Sequence, residues 1–155
     1  MIYFIIAIFT ILCFITHFRV DEAHRMFAFV YWLSHANLLH LSINMICLFR
    51  ISKVMEAKLY FPIFIVGCII PALIYPINLP TCGCSAGIFA LYSFYFSNNG
   101  KEKAFVPMLF SIGVMGIFTS FATGLHMGGI TIGILIHYIY ERIKNNEGNA
   151  NNRTI

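Results

Sequence analysis

The chain has 155 residues, of which 59% are hydrophobic and only 10% are charged, and its net charge is +4. Soluble domains carry about a quarter charged residues, so this composition excludes an ordinary soluble protein and predicts a polytopic membrane protein. Lys and Arg collect on the cytoplasmic side of membrane proteins, so the positive excess does not indicate a nucleic-acid partner. The odd number of cysteines, five, does not predict a disulfide framework.

Six apolar segments follow one another along the chain and predict an all-α bundle. They cover residues 2–18, 35–50, 59–76, 84–97, 104–121 and 124–140. Helices satisfy their own backbone in lipid, so we expect six transmembrane helices. The first segment lacks the positive start and the cleavage site of a removable signal peptide, and we interpret it as a retained helix. The predicted membrane domain covers residues 1–143, and the polar residues 144–155 are expected to form a disordered tail.

The distribution of Lys and Arg between the connections predicts the orientation. With a cytoplasmic N-terminus, eight cations lie on the cytoplasmic side and only Arg19 and Arg25 lie outside. The positive-inside rule therefore predicts that both termini are cytoplasmic and that segments two, four and six run inward from the outer face. The apolar run at residues 26–33, in the first connection, is expected to lie in the membrane interface.

Polar residues occur near the beginning of each inward-running segment. His40 and Asn44 lie near the start of segment two, Ser85 at the start of segment four and His126 at the start of segment six. The topology therefore predicts that they lie at a similar depth. Polar side chains in a membrane helix face the bundle interior, where they either join helices or line a functional cavity. His40 and Asn44 are four residues apart and share a helix face, and for this pair both interpretations stay open.

Ser85 is the central residue of the stretch Gly-Cys-Ser-Ala-Gly at positions 83–87. The same Gly-x-Ser-x-Gly spacing occurs at the nucleophile elbow of soluble hydrolases, but that elbow needs a strand before the serine, and no strand is predicted here. A serine at a helix N-terminus lies beside unpaired backbone N–H groups, which suits a developing oxyanion. The alternative is a serine that caps the helix within a small-residue contact.

His126 is followed by Gly129 and Gly133, whose G-x-x-x-G spacing allows another helix to approach closely. We expect segment four, with its small Ala86 and Gly87, to be that neighbour. Close packing would bring His126 within hydrogen-bonding distance of the serine, as a base beside a nucleophile. Segments two, four and six have no Asp or Glu near this depth. A serine hydrolase built from them would use a dyad, without the acid of a triad.

Two further side chains are candidates for supporting roles. Phe89, one turn after Ser85, is placed to stack on the imidazole of His126, although an aromatic residue there is also ordinary core. His35 lies five residues before His40 and is expected in the turn before the helix, as an interfacial histidine that bonds loop backbone. The histidines at 35, 40 and 126 could also meet at a metal, but the chain has no His-Glu-x-x-His, and we predict no metal and no cofactor.

Together these stretches resemble the signature of the rhomboid intramembrane proteases. Residues 35–44, HANLLHLSIN, resemble their second helix, and Gly-Cys-Ser-Ala at 83–86 is similar to their Gly-x-Ser-Gly motif. Residues 126–133, HMGGITIG, are similar to the His-x-x-Gly-x-x-x-Gly of their sixth helix. The order and placement of the three motifs make the combination specific. Ala86 stands where the family usually has glycine, Phe89 stands where tyrosine is common, and the first connection lacks the family's frequent Trp-Arg pair.

The resemblance implies a six-helix rhomboid-like fold and an intramembrane serine endopeptidase. It implies that Ser85 is the nucleophile, that His126 is the general base and then the acid, and that His40 and Asn44 are oxyanion donors. The residues in supporting positions are His35, Gly83, Phe89, Gly129 and Gly133.

The implied substrates are single-pass transmembrane proteins, cleaved near the outer membrane face. We expect a multi-pass protein of the cell membrane, plasma or inner, that works in the lipid bilayer as a monomer and binds no nucleic acid. One alternative is a rhomboid-like protein, weakly active or inactive, that binds membrane clients without cleaving them. Another is a structural or transport bundle, in which Ser85, His126 and Asn44 would not meet.

Overall fold

The computed structural model describes residues 8, 11, 12, 18–74, 80–118 and 122–151, without the side chains at 102, 111, 113–118 and 147–151. The described part contains the α-helices α1 Leu38–Ser52, α2 Ala57–Ile74, α3 Ser85–Asn98, α4 Phe105–Phe118 and α5 Thr123–Asn151. Short 3-10 helices cover Arg25–Phe29, Tyr31–Leu33 and Glu102–Ala104. These ranges contain no β-strand, so the all-α prediction is confirmed for them.

The five α-helices correspond to predicted segments two to six. Each begins within three residues of its predicted start, and the largest difference is at α1, which begins at Leu38 instead of residue 35. The first predicted segment lies outside the described residues except for Ile8, Ile11 and Leu12, which are helical. α2 is the one helix of the described ranges long and apolar enough to cross a membrane, with 18 residues and a mean hydropathy of 2.1.

The last helix is longer than the sequence predicts. α5 continues to Asn151, so residues 144–151 are helical where a disordered tail is expected. These residues contain no proline to interrupt the helix, and adding a residue to a helix that has already formed costs less than starting a new one. Residues 152–155 lie outside the described part.

α3 lies at the centre of the fold, between α2 and α5, and packs most extensively against α5. Gly129 of α5 lies against the carbonyl oxygen of Ala86, and Gly133 lies against Ala90 and Ser93. Neither glycine has room for a Cβ atom, because the atoms that would meet it belong to α3. The close approach predicted from the G-x-x-x-G spacing is therefore present.

Gly87 belongs to the opposite side of α3. A Cβ atom on Gly87 would lie 2.5 Å from Cys68 Sγ and 2.6 Å from the carbonyl oxygen of Phe64, both in α2. The expectation that Gly87 packs with Ala86 against segment six is wrong. Consecutive helical residues point about 100° apart, so Ala86 and Gly87 meet different neighbours.

The first connection is attached to the bundle at two points. Val20 and Thr81 form an isolated antiparallel bridge, with backbone hydrogen bonds of 2.9 Å in both directions. Arg25 donates from its guanidinium to the carbonyl oxygen of Leu73, near the end of α2, at 2.7 Å. The connection therefore braces the turn before α3 although it lacks a Trp-Arg pair.

Tyr31 anchors the first connection in the protein core. Met26 of this connection is 76% exposed, but Tyr31 is 1% exposed. The hydroxyl of Tyr31 donates to the carbonyl oxygen of Cys68 at 2.9 Å. The carbonyl oxygen of Tyr31 accepts from the N–H of Gly83 at 3.2 Å. A buried tyrosine with both polar groups bonded therefore joins the connection, α2 and the turn before α3.

The α3–α5 contact predicts the effect of a single methyl group. Gly133→Ala would force a Cβ atom into Ala90 and Ser93, and overpacking of this kind costs about 1–3 kcal/mol. We expect the free energy of unfolding in detergent, measured by denaturant titration with circular dichroism, to fall by that amount. Ile134→Ala is the matched control, because Ile134 is the next residue of α5 and is 41% exposed. Equal losses in the two variants would contradict the close packing.

Candidate active site

The N-terminal ends of three helices meet at one place. Ser85 is the first residue of α3, His126 the fourth of α5 and His40 the third of α1. The predicted site residues at the starts of segments two, four and six therefore lie at one end of the bundle. The first N–H groups of a helix have no intrahelical acceptor, and the helix dipole makes this end attractive to negative charge.

Ser85 and His126 are in direct contact. Ser85 Oγ lies 2.5 Å from His126 Nε2, and with the proton of the neutral imidazole on Nδ1 the hydroxyl donates to Nε2. His126 is 3% exposed, whereas Ser85 is only partly buried. The capping interpretation of Ser85 is wrong, because the residue at the N-cap of α3 is Cys84 and its side chain makes no capping bond.

The imidazole of His126 is held by packing. Its ring meets the ring of Phe89 edge to face, with 4.9 Å between centroids and 69° between planes. No Asp or Glu occurs in α1, α2 or α3, and the first one in α5 is Glu141, far along the helix. Phe89 therefore occupies the position of a ring support, as its place one turn after Ser85 predicts.

His40 lies against the turn that precedes Ser85. Asn37 caps α1 by accepting the N–H of His40 at 2.8 Å, and the N–H of Ala36 lies 3.5 Å from His40 Nδ1. With Nδ1 as acceptor, the imidazole proton is on Nε2. A Cβ atom on Gly83 would lie 2.5 Å from Cε1 and 2.9 Å from Nε2 of His40. The imidazole Nε2–H of His40 therefore borders the Gly83 turn.

Asn44 brings a second donor to the same turn. Its side chain is 4% exposed, and its Nδ2 has no hydrogen-bond acceptor among the described residues. Nδ2 lies 3.6 Å from the Cβ position of Gly83. Buried polar groups are nearly always bonded, so an unused amide donor at this position is suited to an acceptor that arrives with a ligand. The expectation for a structural or transport bundle, in which these groups stay apart, does not fit this arrangement.

Gly83 is the position where the backbone requires glycine. Its φ of +110° is a conformation that residues with a side chain rarely adopt, and its Cβ position is occupied by His40. Because of this φ and the lack of space for a Cβ atom, the turn can hold Ser85 beside His40 and Asn44 only with glycine at position 83.

His35 lies behind the site. It precedes α1 and is 7% exposed, and it hydrogen-bonds the backbone of Leu33, as expected for a histidine that bonds loop backbone. His35 Nε2 lies 3.5 Å from Cys84 Sγ, and its ring meets the ring of His40 at 5.2 Å between centroids. In the described ranges, no three side chains of His, Cys, Asp or Glu are grouped to hold a metal ion.

Two cavities meet at Ser85. The first, here named the polar cavity, has a volume of about 280 Å³ and is lined by the first connection, the turn at residues 80–83 and the beginnings of α3 and α5. The second, named the apolar groove, has a volume of about 470 Å³ and runs between α1, α3 and α4. Ser85 and His40 line both cavities, His126 lines the polar cavity and Asn44 lines the apolar groove.

Sequence reasoning missed three residues around the site. Arg19 and Thr81 line the polar cavity, and Tyr31 bonds the N–H of Gly83. Their positions follow from contacts between chain segments more than fifty residues apart, such as the Val20–Thr81 bridge, and no local spacing signals them.

The arrangement is suited to nucleophilic attack on a carbonyl. A hydroxyl that donates to a buried imidazole can lose its proton to that imidazole as its oxygen attacks. Hydrogen-bond donors beside the attacked carbonyl stabilise the oxyanion that forms. Ser85, His126 and the two donors near Gly83 have the relative positions that this chemistry requires.

Gly83→Ala tests whether the turn sets the reactivity of Ser85. The variant strains the backbone and displaces His40, so we expect labelling of Ser85 by a fluorophosphonate to slow by about 10²-fold. Gly100→Ala is the matched control, because Gly100 also has a positive φ, +60°, but nothing lies within 4 Å of its Cβ position. Labelling rates should be unchanged in that control. Similar rates in wild type and Gly83→Ala would contradict the role of the turn.

Comparison with known families gives one match. The rhomboid domain matches residues 20–143, about four fifths of the chain. The match covers Ser85, His126, His40 and Asn44. No curated protein matches the chain in sequence.

Proposed function

Because the chain belongs to the rhomboid family, we propose that it is an intramembrane serine endopeptidase with a Ser85–His126 dyad. Members of this family are membrane proteins and are typically serine proteases. The observation that carries the proposal is the 2.5 Å contact between Ser85 Oγ and His126 Nε2, at the junction of the polar cavity and the apolar groove.

The reaction proceeds in two halves. Ser85 Oγ attacks the scissile carbonyl carbon while His126 Nε2 takes the hydroxyl proton. The tetrahedral intermediate collapses as His126 returns this proton to the leaving amine, which leaves the acyl group on Ser85. Water then gives a proton to His126 and attacks the ester, and Ser85 recovers its proton when the carboxylate product leaves.

The oxyanion is stabilised beside Gly83. His40 Nε2–H and Asn44 Nδ2–H border this turn. Ser85 is also the first residue of α3, whose first backbone N–H groups have no intrahelical acceptor. Asn44 supports this assignment most directly, because its buried donor has no acceptor among the described residues. The substrate oxygen would supply that acceptor during the reaction.

The two cavities suggest how a transmembrane substrate is bound. Its apolar part lies in the apolar groove, and the part that leaves the membrane lies in the polar cavity, which also admits water. A helical substrate hides its carbonyls in backbone hydrogen bonds, so cleavage requires local unwinding. Substrates are therefore single-pass proteins with small or helix-breaking residues near the cleaved bond.

The proposal includes the membrane topology. The chain crosses the membrane six times, both termini are cytoplasmic, and it acts as a monomer in the plasma or inner membrane. The charge distribution supports this orientation, because only Arg19 and Arg25 among the ten cations fall on the outer side. The site then lies near the outer face, where α1, α3 and α5 begin.

Substitution of the dyad tests the proposed function. Ser85→Ala and His126→Ala should each lower the cleavage rate of a helix-destabilised transmembrane substrate in detergent by roughly 10³-fold or more. The rate is measured by gel electrophoresis of the cleavage products. Ser42→Ala and His137→Ala are the matched controls. Ser42 is exposed on α1, and His137 lies further along α5, so both variants should retain activity.

Undiminished cleavage by Ser85→Ala would exclude the mechanism. A folded wild-type protein that binds such substrates and cleaves none of them would favour the alternative, a rhomboid-like protein that holds membrane clients.

Asn44→Ala separates catalysis from folding. Loss of one oxyanion donor costs about 10²–10³ in kcat, and we expect KM to change little. The thermal unfolding midpoint should not fall, because the side chain donates no hydrogen bond from Nδ2 in the described structure. Asn99→Ala is the control, since Asn99 Nδ2 donates to Tyr95 at the far end of α3. An active Asn44→Ala, or one that loses activity only by unfolding, would remove Asn44 from the oxyanion site.

A further inference from the structure

The polar cavity contains a single charged group in its described lining. That group belongs to Arg19, the one Lys, Arg, Asp or Glu among the described lining residues, and the rest of the lining is apolar, hydroxyl-bearing or histidine. The same cavity is lined by Ser85 and His126, so Arg19 borders the space in front of the dyad. No described carboxylate forms an ion pair with Arg19.

The acidic residues nearest to Arg19 in sequence have other partners. Asp21 accepts from His24 Nδ1 at 2.9 Å, and Glu22 accepts from Arg25 at 2.8 Å. Both pairs lie within the first connection, beyond the Val20 bridge. The charge of Arg19 is therefore available to a group that enters the cavity.

The backbone on both sides of Arg19 is fixed. The N–H of Phe18 donates to Ser34 Oγ at 3.0 Å, and Val20 is bridged to Thr81 by two hydrogen bonds of 2.9 Å. Thr81 begins the turn that leads to Ser85. This bridge holds the backbone of Arg19 at a constant place relative to the nucleophile, so the guanidinium is limited to the reach of one side chain.

We propose that Arg19 selects substrates with a carboxylate side chain on the extramembrane side of the cleaved bond. The inference rests on the proposed function, because it takes the polar cavity as the space for the part of the substrate outside the membrane. A guanidinium presents a planar fork of N–H donors that matches the two oxygens of a carboxylate. The apolar groove has no charged residue in its described lining, so the preference applies to one side of the bond only.

A lipid phosphate is the competing ligand for a guanidinium near the outer face. The substrate carboxylate is favoured because Arg19 shares its cavity with Ser85 and His126, which a peptide must reach in order to be cleaved. A headgroup contact would act on every substrate alike. A side-chain contact acts only on substrates with the matching charge.

The test uses variants of one transmembrane substrate. Gln, Glu or Lys is placed at one of the first three positions on the extramembrane side of the cleaved bond. Wild type should cleave the best Glu substrate about fivefold faster than its Gln counterpart, a moderate preference because Arg19 is exposed. Arg19→Gln should cleave the Glu and Gln substrates at equal rates, and Arg19→Glu should cleave the Lys substrate faster than either. Lys144→Gln is the control with the same loss of charge at the distant end of α5, and it should keep the wild-type preference.

Binding measurements keep this test separate from the proposed function. The same peptides, carrying a fluorophore, are titrated into Ser85→Ala and into Ser85→Ala combined with Arg19→Gln. Tighter binding of the Glu peptide only when Arg19 is present supports the inference, even if wild type cleaves nothing and the proposed function fails. Equal Glu-to-Gln ratios in all variants overturn the inference, while Ser85-dependent cleavage would still stand.

Vesicles of zwitterionic lipid, with and without anionic phosphatidylglycerol, distinguish the lipid contact. Arg19→Gln could lower the cleavage rates of the Gln, Glu and Lys substrates by the same factor, and only in anionic vesicles. In that case the ligand of Arg19 is a headgroup and the inference is overturned. The expected result is a Glu preference that is the same in both kinds of vesicle.

Discussion

The close contact between α3 and α5 is the constraint on which the site depends. Gly129 lies on the carbonyl oxygen of Ala86, and this places His126, one turn earlier in α5, beside Ser85, one residue earlier in α3. Gly133 repeats the contact one turn further along. A side chain at either glycine would separate the helices. The distance between the proposed base and nucleophile is thus set by backbone packing, which does not depend on a carboxylate.

The same contact explains how the chain accommodates alanine where the family usually has glycine. α5 meets the carbonyl oxygen of Ala86, and the side chain of Ala86 is 2% exposed in a small cluster with Tyr31 and Leu125. None of the described non-glycine residues has a positive φ, so Ala86 occupies an ordinary helical backbone. Glycine is required instead at position 83, because the positive φ disfavours a side chain there and His40 occupies the space that a Cβ atom would need.

Much of this could be predicted from sequence because membrane helices obey simple rules. Apolar length predicts the helix starts, and G-x-x-x-G spacing predicts the α3–α5 contact. The direction in which a residue points from its helix is harder to predict, and Gly87 contacts α2 instead of α5. Contacts between distant connections have no local pattern, so the roles of Tyr31 and Thr81 needed the structure. The family resemblance named Asn44, but only its buried, unused donor supports the assignment physically.

The most direct measurement of the central claim is the site of covalent attachment of a fluorophosphonate, mapped by mass spectrometry of the folded protein in detergent. The Ser85–His126 dyad predicts a single adduct on Ser85 in wild type and almost none in folded His126→Ala. An adduct on another serine, or equal modification of Ser85 with and without His126, would contradict the dyad.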